Sequence, residues 1–471
     1  MHQIDRIYIN GAFATPHGSE WADLHNPSTE AVIGRVRLGD AEDARAAISA
    51  AKRAFPVWSR TSKADRIDLL HRLHKAVAAS ASAQFAALQE EYGAPFAFGD
   101  WLAKTAGNAF LEAANTLENY EFERSIGKTQ VVMQPLGVVA AITPWNANAF
   151  FLCGKMATAI AAGCTVVLKP SEMSALQTQV LVEALHEAGA PPGLFNIVNG
   201  RGDVVGAEFS VHPDVAKLTF TGSTAVGRSI MSAAAQTMKR VTLELGGKGP
   251  QIILDDADLD AAIPTAVASG LMNSGQACIA GTRILVPESR KAEILSRLKS
   301  EIAKVRVGNP KDSSVTVGPM VSKKQWDRVQ GFLRSGLDEG AELLIGGEGR
   351  PDGMDAGWFV RPSVFSNVTN EMRIAREEIF GPVLSVISYE SEEQAIEIAN
   401  DTAYGLQAFV LSSNVERARA VAAQLDSGRV QINNAYPEAN VPFGGFKQSG
   451  IGRENGVFGL EAHLESKAIV A

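Results

Sequence analysis

Five short runs of β-branched and apolar residues, spaced through residues 137–245, most constrain what this chain can fold into. Separated by alanine-rich stretches long enough for crossover helices, they read GVVAAIT, TVVLK, FNIV, VAKLTF and RVTLEL. Strands joined by crossover helices pair in parallel, because a short turn cannot return the chain to the same end of a sheet. The pattern therefore predicts a doubly wound α/β domain.

The length of the chain, 471 residues, exceeds what one hydrophobic core usually serves, so we expect two large domains. A second α/β unit is expected from about Lys248, where strand-like and helical patterns alternate again in QIIL, RILV, SRKAEILSRLKSEIAKV and LQAFVL. Hydrophobic residues make up 46% and charged residues 20% of the chain, which is typical of a globular protein and not of a disordered one.

The residues before the first run predict a small β element followed by helices. Residues 6–36 alternate short apolar runs with Gly, Pro and Asn, which is a hairpin-like pattern. Asp40 can cap a helix over residues 41–55, and apolar positions recurring every three or four residues predict one further helical stretch over about residues 64–91. The glycine-rich residues 346–357 are interpreted as a surface loop.

The charge balance favours a small-molecule partner. Lys and Arg number 44 against 52 Asp and Glu, which gives a net charge of −8, and no basic run is present. This balance argues against a surface that binds nucleic acid or an anionic membrane. The N-terminal residues lack a basic segment followed by an apolar core, and no run of 18 apolar residues occurs, so neither export nor membrane insertion is expected.

Three cysteines, far apart in sequence, provide neither a disulfide framework nor the paired spacings of a zinc site. They indicate a reducing, cytoplasmic compartment and no metal. Cys153 and Cys164 lie in apolar runs that would bury a thiol and leave it protonated and inert. Cys278, at the end of NSGQAC, follows small and polar residues that can leave its sulfur accessible, although a cysteine ending a buried helix would look similar. Cys278 is thus the candidate nucleophile.

Polar residues follow four of the five runs, at the edge where ligands bind in a parallel sheet. In FTGSTAVG, Gly222 permits a tight turn and Ser223 opens a helix whose free N–H groups can hold a phosphate, although a merely capped helix fits the spacing equally well. In KPSE, Lys169 and Glu172 offer a cation and an acceptor for a ribose, although a surface ion pair would look the same in sequence. A carboxylate there repels a 2′-phosphate and favours NAD over NADP.

Seven motifs together carry a resemblance that no single motif would support. In chain order they are TPWN (143–146), KPSE (169–172), FTGS (220–223), LELGGK (243–248), GQAC (275–278), EEIFGP (377–382) and PFGGFKQSG (442–450). With these motifs the chain resembles the NAD(P)-dependent aldehyde dehydrogenase superfamily over nearly its whole length. The resemblance implies an α/β fold with two doubly wound domains and a small β bridging element, and an NAD-dependent oxidation of an aldehyde to the carboxylic acid.

The resemblance also implies the catalytic roles. Cys278 corresponds to the nucleophile that adds to the aldehyde carbonyl, and Asn146 to the side-chain amide that holds the oxyanion together with the nucleophile's backbone N–H. Glu244 corresponds to the base that activates water for hydrolysis of the Cys278 thioester. Glu454 matches a further carboxylate near the site, with proton relay as its candidate role.

For the cofactor, NAD with NADP as the less favoured alternative, the resemblance implies residues at the strand ends and two more in EEIFGP. These cofactor-binding candidates are Ile142, Thr143, Pro144, Trp145, Lys169, Ser171, Glu172, Phe220, Gly222, Ser223, Val226, Leu245, Gly246, Glu378 and Phe380. Without the family, EEIFGP would be interpreted as a helix end before a strand, with solvated acids.

The resemblance further divides the chain. Residues 1–111 and 136–247 are expected to form the NAD-binding domain, residues 248–454 the catalytic domain, and residues 112–135 and 455–471 an oligomerisation element. The apolar, strand-like tail HLESKAIVA fits such an element, because an exposed β edge invites pairing. A homodimer or a homotetramer is expected.

The substrate is the least constrained property. Positions that often carry bulky aromatics in small-aldehyde members of the family are Ala147 and Gly154 here, which suggests a roomy tunnel and a bulky or aryl-bearing aldehyde or semialdehyde. Two other classes stay open. One is a cysteine-dependent hydrolase or CoA-acylating enzyme, and the other is a non-catalytic structural protein on the same fold. The presence of Glu244 together with Cys278 and Asn146 favours the hydrolytic dehydrogenase over both.

Overall fold

The computed structural model describes all 471 residues, and the chain begins with two β-hairpins. The first strands are β1 (His2–Ile4), β2 (Ile7–Ile9), β3 (Ala12–Ala14), β4 (Trp21–His25) and β5 (Val32–Arg37). β2 pairs antiparallel with β3, and β4 with β5, so the hairpin pattern predicted for this region is confirmed. β1 joins β5 in parallel and completes a three-stranded sheet.

Five helices follow the hairpins. They are α1 (Ala41–Trp58), α2 (Lys63–Ala79), α3 (Ala81–Glu91), α4 (Phe96–Thr105) and α5 (Asn108–Glu118). The Asp40 side chain caps α1 by accepting hydrogen bonds from two backbone N–H groups of its first turn, as predicted. The single helix predicted over residues 64–91 is wrong, because α2 and α3 are separated at Ser80. The Ser80 hydroxyl donates to the carbonyl of Val77 at 2.8 Å, which offers the backbone an alternative to continuing the helix.

The five predicted runs form the parallel centre of an eight-stranded sheet. After β6 (Glu123–Ile126) and β7 (Thr129–Pro135), the elements are β8 (Val138–Ile142), α6 (Asn148–Ala162), β9 (Thr165–Lys169), α7 (Ala175–Glu187), β10 (Phe195–Ile197), α8 (Ala207–Val211), β11 (Val215–Thr221), α9 (Thr224–Ala234) and β12 (Arg240–Glu244). The parallel strands lie in the order β12-β11-β8-β9-β10, and β2 and β3 extend the sheet beyond β10. The direction of winding reverses between β8 and β11, so a ligand crevice is expected beyond the carboxyl ends of these two strands.

Both faces of this sheet are covered. Every residue of β8 and β9 is buried, which explains why their sequences are continuous apolar runs and not alternating ones. Val139 and Ala141 belong to a core of 35 buried apolar residues, whereas Val138 and Ala140 belong to a second core of 18. The two cores hold the strands, and so fix the residues that follow them.

The second sheet has seven strands. Its strands and the intervening helices are β13 (Pro250–Ile253), α10 (Leu259–Gly270), β14 (Arg283–Pro287), α11 (Lys291–Ile302), α12 (Lys323–Asp338), β15 (Glu342–Ile345), β16 (Ser363–Ser366), α13 (Arg373–Arg376), β17 (Val383–Tyr389), α14 (Glu392–Asn400), β18 (Gln407–Leu411), α15 (Val415–Ala422) and β19 (Arg429–Ile432). The strand order is β15-β16-β17-β14-β13-β18-β19, and only the edge strand β15 is antiparallel to its neighbour. The glycine-rich residues 346–357 form a loop after β15, as predicted.

The last elements tie the C-terminal end of the chain back to earlier sheets. They are β20 (Gly450–Ile451), α16 (Gly456–Glu461) and β21 (Leu464–Ile469). β20 pairs antiparallel with β12, and β21 pairs antiparallel with β7 to give a separate three-stranded sheet of order β21-β7-β6. The domain boundaries expected from the sequence stay a prediction. No helix is both long enough and apolar enough to cross a membrane.

Candidate active site

The candidate nucleophile follows α10 on a loop with unusual backbone geometry. Asn273, Ser274 and Gly275 have φ angles of 53°, 60° and 74°, which places three consecutive residues in the left-handed region. For residues with a β-carbon this conformation costs on the order of 1–3 kcal/mol each, so the surroundings must hold it. Cys278 is partly exposed, whereas Cys153 and Cys164 are fully buried, which is the order of exposure predicted.

Hydrogen bonds to the loop before α12 hold the nucleophile loop. The Ser274 hydroxyl accepts from the backbone N–H of Gly318 at 2.8 Å. The Gln276 side chain donates to the carbonyl of Pro319 at 3.1 Å and accepts from the N–H of Val321 at 3.0 Å. Gln276 is fully buried, so these bonds are shielded from water and fix the direction from which the chain reaches Cys278.

Burial, with the carboxylates of Glu378 and Glu244, raises the pKa of the Cys278 thiol to about 12, against the opposing effect of Arg429. The thiol is therefore protonated at neutral pH in this arrangement. Because the thiolate is the nucleophilic form, reaction at this sulfur requires a base that removes the proton.

Asn146 lies against the nucleophile loop. It follows β8, is buried, and donates its side-chain amide to the carbonyl of Gln276 at 3.0 Å. Asn273 ties the same two segments together, because its amide donates to the carbonyls of Asn146 at 3.1 Å and Gln276 at 3.2 Å. The end of β8 and the residues just before Cys278 are thus held as one unit.

Glu244 is a buried carboxylate without a partner. It is the last residue of β12 and 2% exposed, and neither of its carboxylate oxygens has a hydrogen-bond partner. A β-carbon at Gly444 would lie 2.7 Å from Glu244 Oε1, so only glycine leaves room for the carboxylate there. Burial and the nearby charge of Glu454 raise the pKa of Glu244 well above its usual value, while Lys155 and Arg453 oppose the rise. Such orphaned, perturbed carboxylates are typical of functional sites.

Glu454 forms a buried polar cluster with a residue that the sequence interpretation missed. Lys155 on α6 donates from Nζ to Glu454 Oε1 at 2.5 Å and to the Thr219 hydroxyl at 2.9 Å, and Thr219 donates to the same Glu454 oxygen at 3.2 Å. The Lys155 side chain is only 1% exposed. The signal available in the sequence was a lone cation in an apolar helical run, because a buried ammonium must be paired.

The cofactor candidates at the strand ends line the predicted crevice edge. Ile142–Trp145 follow β8, Lys169–Glu172 follow β9, and Leu245 and Gly246 follow β12. Ser223 caps α9 by accepting from the N–H of Val226 at 3.4 Å, with Phe220 and Gly222 just before it. Lys169 donates from Nζ to the carbonyls of Pro170 at 2.6 Å and Gly200 at 2.9 Å, and lies 3.5 Å from Glu172 Oε2.

Glu378 and Phe380 reach the same crevice from the second sheet. Glu378 accepts from the backbone N–H of Gly247 at 3.0 Å, and burial raises its pKa to about 7. Phe380, with a left-handed φ of 60°, packs edge-on against Trp145 with ring centroids 5.4 Å apart. The crevice is therefore lined from both sheets.

Two buried hydroxyls at the strand ends fit a bound polar ligand. The hydroxyls of Thr143, after β8, and Thr221, at the end of β11, are buried and have no protein partner. Both lie at the reversal of winding, and Thr221 comes just before the N-terminus of α9. Unsatisfied donors, a helix N-terminus and the Glu378 carboxylate suit a ligand that carries phosphates and ribose hydroxyls.

Gly154 on α6 and Ala147 just before it are the two positions expected to widen the substrate path. Gly154 has no atom within 4 Å of where a β-carbon would stand, and it lines a cavity of about 30 Å³ beside Asn455. Ala147 is buried in a cluster that includes Tyr92. Near the start of α6, Phe150 is 41% exposed and lies 6.2 Å from the equally exposed Trp101 ring on α4.

Comparison with known proteins decides the family. The sequence profile of the aldehyde dehydrogenase family matches residues 13–469. The chain belongs to the aldehyde dehydrogenase family. It is 46% identical, over the full chain and 99% of the relative, to a Pseudomonas protein named 3-succinoylsemialdehyde-pyridine dehydrogenase.

Solved aldehyde dehydrogenases share the whole fold. A mutant of aldehyde dehydrogenase C from Pseudomonas syringae, in complex with NAD+ and octanal, superposes with a TM-score of 0.97 at 42% identity, covering 99% of this chain and 96% of the other. An aldehyde dehydrogenase from Mycobacterium tuberculosis, in complex with NAD+, has a TM-score of 0.95 at 39% identity, covering 100% and 98%. The predicted family, fold class and enzyme class are confirmed, and the individual site residues stay predictions.

Proposed function

We propose that this aldehyde dehydrogenase oxidises an aldehyde to the carboxylic acid through a thioester on Cys278, which water activated by Glu244 then hydrolyses. The observation that carries the proposal is the convergence of three chain segments. A partly exposed thiol lies on a loop bonded to Asn146, and a buried carboxylate without a partner, Glu244, is close enough to raise the pKa of that thiol. A nucleophile, an oxyanion donor and a base are the groups that this reaction needs.

NAD is the cofactor, in line with the NAD+ bound to the solved relatives. When bound, NAD accepts the hydride released from the aldehyde carbon. The residues that would hold it are the candidates at the ends of β8, β9, β11 and β12, together with Glu378 and Phe380. The orphaned hydroxyls of Thr143 and Thr221, the free N–H groups of α9 and the Glu378 carboxylate fit its phosphates and ribose hydroxyls.

In the first half of the reaction, Cys278 adds to the aldehyde carbonyl and forms a thiohemiacetal. Glu244, whose raised pKa makes it a good proton acceptor, takes the thiol proton. The Asn146 amide nitrogen carries two hydrogens, of which one is bonded to the carbonyl of Gln276. The other hydrogen, with the backbone N–H of Cys278, is available to the developing oxyanion.

In the second half, Glu244 removes a proton from the water that attacks the Cys278 thioester, and the carboxylic acid leaves. Before this step Glu244 must release the proton that it took from the thiol. The cluster of Lys155, Thr219 and Glu454 is placed to take up that proton, because Glu454 lies close enough to raise the pKa of Glu244 through its charge. The proton from the water returns to the Cys278 sulfur as the thioester breaks. The position of Glu244 also argues against a CoA-acylating enzyme, which needs no base for water. A non-catalytic role would leave the strained nucleophile loop and the orphaned carboxylate without an explanation.

The substrate class that we propose is a bulky or aryl-bearing aldehyde or semialdehyde. The open space at Gly154, where no atom lies within 4 Å of a β-carbon position, and the exposed rings of Trp101 and Phe150 support it, because room and aromatic faces favour larger substrates. One relative is named for a semialdehyde of pyridine and one solved relative holds octanal. Both are larger than a two-carbon aldehyde.

We also propose that the chain assembles as a homodimer or homotetramer through the three-stranded sheet of β21, β7 and β6. All four residues of the edge strand β6 are exposed, and Ile126, Ile469 and Val470 are exposed apolar side chains at its rim. An exposed β edge with apolar side chains near it favours pairing with another chain.

Absorbance of NADH during incubation with NAD and a panel of aldehydes tests the function. Wild-type protein is expected to form NADH without CoA and to favour benzaldehyde-type over acetaldehyde substrates in kcat/KM, while Cys278→Ala forms none. A requirement for CoA would replace the hydrolytic mechanism with acyl transfer. A preference for acetaldehyde would reject the bulky substrate class, and unchanged activity in Cys278→Ala would reject the nucleophile.

A further inference from the structure

Arg429 is a half-buried arginine at the start of β19 that forms no ion pair. Its Nε donates to the side-chain carbonyl of Gln407 at 2.5 Å. The two terminal nitrogens of the guanidinium have no acceptor on the protein. A partly desolvated cation with unused donors is costly, so such arginines usually meet an anion or a polar oxygen.

The guanidinium rests on the wall of the candidate active site. Its central carbon lies 5.2 Å from the centroid of the Phe443 ring. Phe443 exchanges two backbone hydrogen bonds with Glu454, at 3.0 and 2.7 Å, and the next residue, Gly444, packs against the carboxylate of Glu244. Arg429 is therefore one side chain away from the contact that positions the proposed base.

The electrostatics agree with this placement. Arg429 is the cation that lowers the pKa of the Cys278 thiol, against the effects of burial and of two carboxylates. Burial lowers the pKa of Arg429 itself, and Cys278 and the exposed Tyr436 are the groups that oppose this. The unused donors thus belong to a cation close enough to feel the charge of the thiol and of a side chain at the surface.

We propose that Arg429 binds an oxygen acceptor, a ketone or carboxylate oxygen, on the part of the aldehyde substrate distant from the reacting carbon. The inference rests on the proposed function and deepens it by naming a residue that sets substrate specificity. A guanidinium presents its donors in a planar fork that matches such oxygens in geometry. The stack on Phe443 and the bond to Gln407 hold the fork in place before the substrate arrives.

Three aldehydes test this contact, and each has the same number of carbons between the aldehyde carbon and the position of the second oxygen. Butanal has no second oxygen, 4-oxopentanal has a ketone there, and succinic semialdehyde has a carboxylate. The kcat/KM of wild-type protein is expected to favour at least one oxygen-bearing aldehyde over butanal, and the favoured one identifies the oxygen. Arg429→Gln is expected to lower that preference, the ratio of kcat/KM to the value for butanal, about 10- to 100-fold, the range for a hydrogen bond to a charged group. Any effect of Arg429 on the thiol changes all three values alike and leaves this ratio unchanged. Arg429→Lys keeps the charge but not the fork, and is expected to retain more of a carboxylate preference than of a ketone preference.

The matched control is Arg419→Gln, which removes an exposed arginine from α15 and is expected to change none of the three values.

A second experiment measures how the rate of Cys278 alkylation by iodoacetamide depends on pH in the absence of substrate. It distinguishes the proposed contact between Arg429 and the substrate oxygen, here called the anchor, from an effect of Arg429 on the thiol. If Arg429→Gln lowers all three kcat/KM values equally and shifts the alkylation profile, the anchor is overturned and Arg429 acts on Cys278. If wild-type protein forms NADH with these aldehydes at equal kcat/KM, only the anchor fails. If wild-type protein forms no NADH with any aldehyde, both the proposed function and the proposed role of Arg429 are rejected.

Discussion

Gly247 lies against the backbone of the proposed nucleophile, so closely that a β-carbon at Gly247 would be 2.3 Å from the carbonyl oxygen of Cys278. No side chain fits that space without moving the nucleophile loop. The same residue donates its N–H to Glu378. Gly247, the second glycine of LELGGK, therefore fixes the position of the Cys278 backbone relative to the cofactor crevice.

Gly247→Ala is accordingly expected to displace Cys278 and to lower kcat by about 100-fold, the cost of moving a reacting group by roughly 1 Å. Steady-state NADH formation measures the loss, and a thermal unfolding curve checks that the variant folds. Gly331→Ala is the matched control, because nothing lies within 4 Å of a β-carbon at that exposed helical position. Equal activity of the Gly247 variant and wild type would contradict the steric argument.

Glu244→Gln is expected to separate the two halves of the reaction. The amide fills the same space but accepts no proton. The Cys278 thiol then loses its proton only to water, so the thioester forms more slowly, while hydrolysis of the thioester nearly stops. A rapid-mixing experiment should show a burst of about one NADH per subunit, followed by a steady-state rate lower by roughly 10²–10⁴-fold, the usual contribution of a positioned base. A variant that lost the burst and kept its turnover, or kept both, would refute the role assigned to Glu244.

The parts of this architecture that were predictable from sequence are those set by local pattern. The runs of β8 and β9 are apolar throughout because both faces of the sheet are covered. This pattern is visible within the sequence of each strand and does not depend on residues elsewhere in the chain. Lys155 was missed because its meaning depends on Glu454, 299 residues away. The left-handed Asn273 and Ser274 have no local signature, since only the contacts of the folded chain impose that backbone on them.

The sequence pattern predicted neither the break between α2 and α3 nor the significance of Arg429, and the reasons are related. The apolar period continues through Ser80, so it predicts one helix, while the hydroxyl that ends the first helix acts through a single bond to Val77. Arg429 is one of many arginines in the chain, and only the fold shows that it lacks an acidic partner and stacks on Phe443.

Lys155→Met and Glu454→Gln are expected to move the acidic limb of the steady-state rate in opposite directions. Glu244 must be deprotonated to accept a proton from water, so the rate rises as the pH increases through its pKa. Lys155 lowers the pKa of Glu244 and Glu454 raises it. Without Lys155 the limb should shift to higher pH, and without the charge of Glu454 to lower pH.

The pH profile of kcat for a bulky aldehyde measures both shifts. Lys52→Met removes one member of an exposed ion pair with Asp214 and is the control, with an unchanged profile expected. Shifts of Lys155→Met and Glu454→Gln in the same direction would contradict the electrostatic coupling and point instead to a general loosening of the site.

Glu172→Gln is expected to weaken the preference for NAD over NADP. The Glu172 side chain is 40% exposed at the end of β9, where its carboxylate can accept from a ribose hydroxyl and repels a 2′-phosphate. Lys169 beside it already donates to the carbonyls of Pro170 and Gly200, which leaves less of its ammonium free to offset that repulsion. The ratio of kcat/KM for NAD over NADP should fall about 5- to 30-fold, because this is the factor that corresponds to removing a repulsion of about 1–2 kcal/mol. Glu183→Gln, on the exposed face of α7, changes the net charge by the same amount and should leave the ratio unchanged. A similar fall in the ratio for that control would show that the effect comes from overall charge and not from the ribose contact.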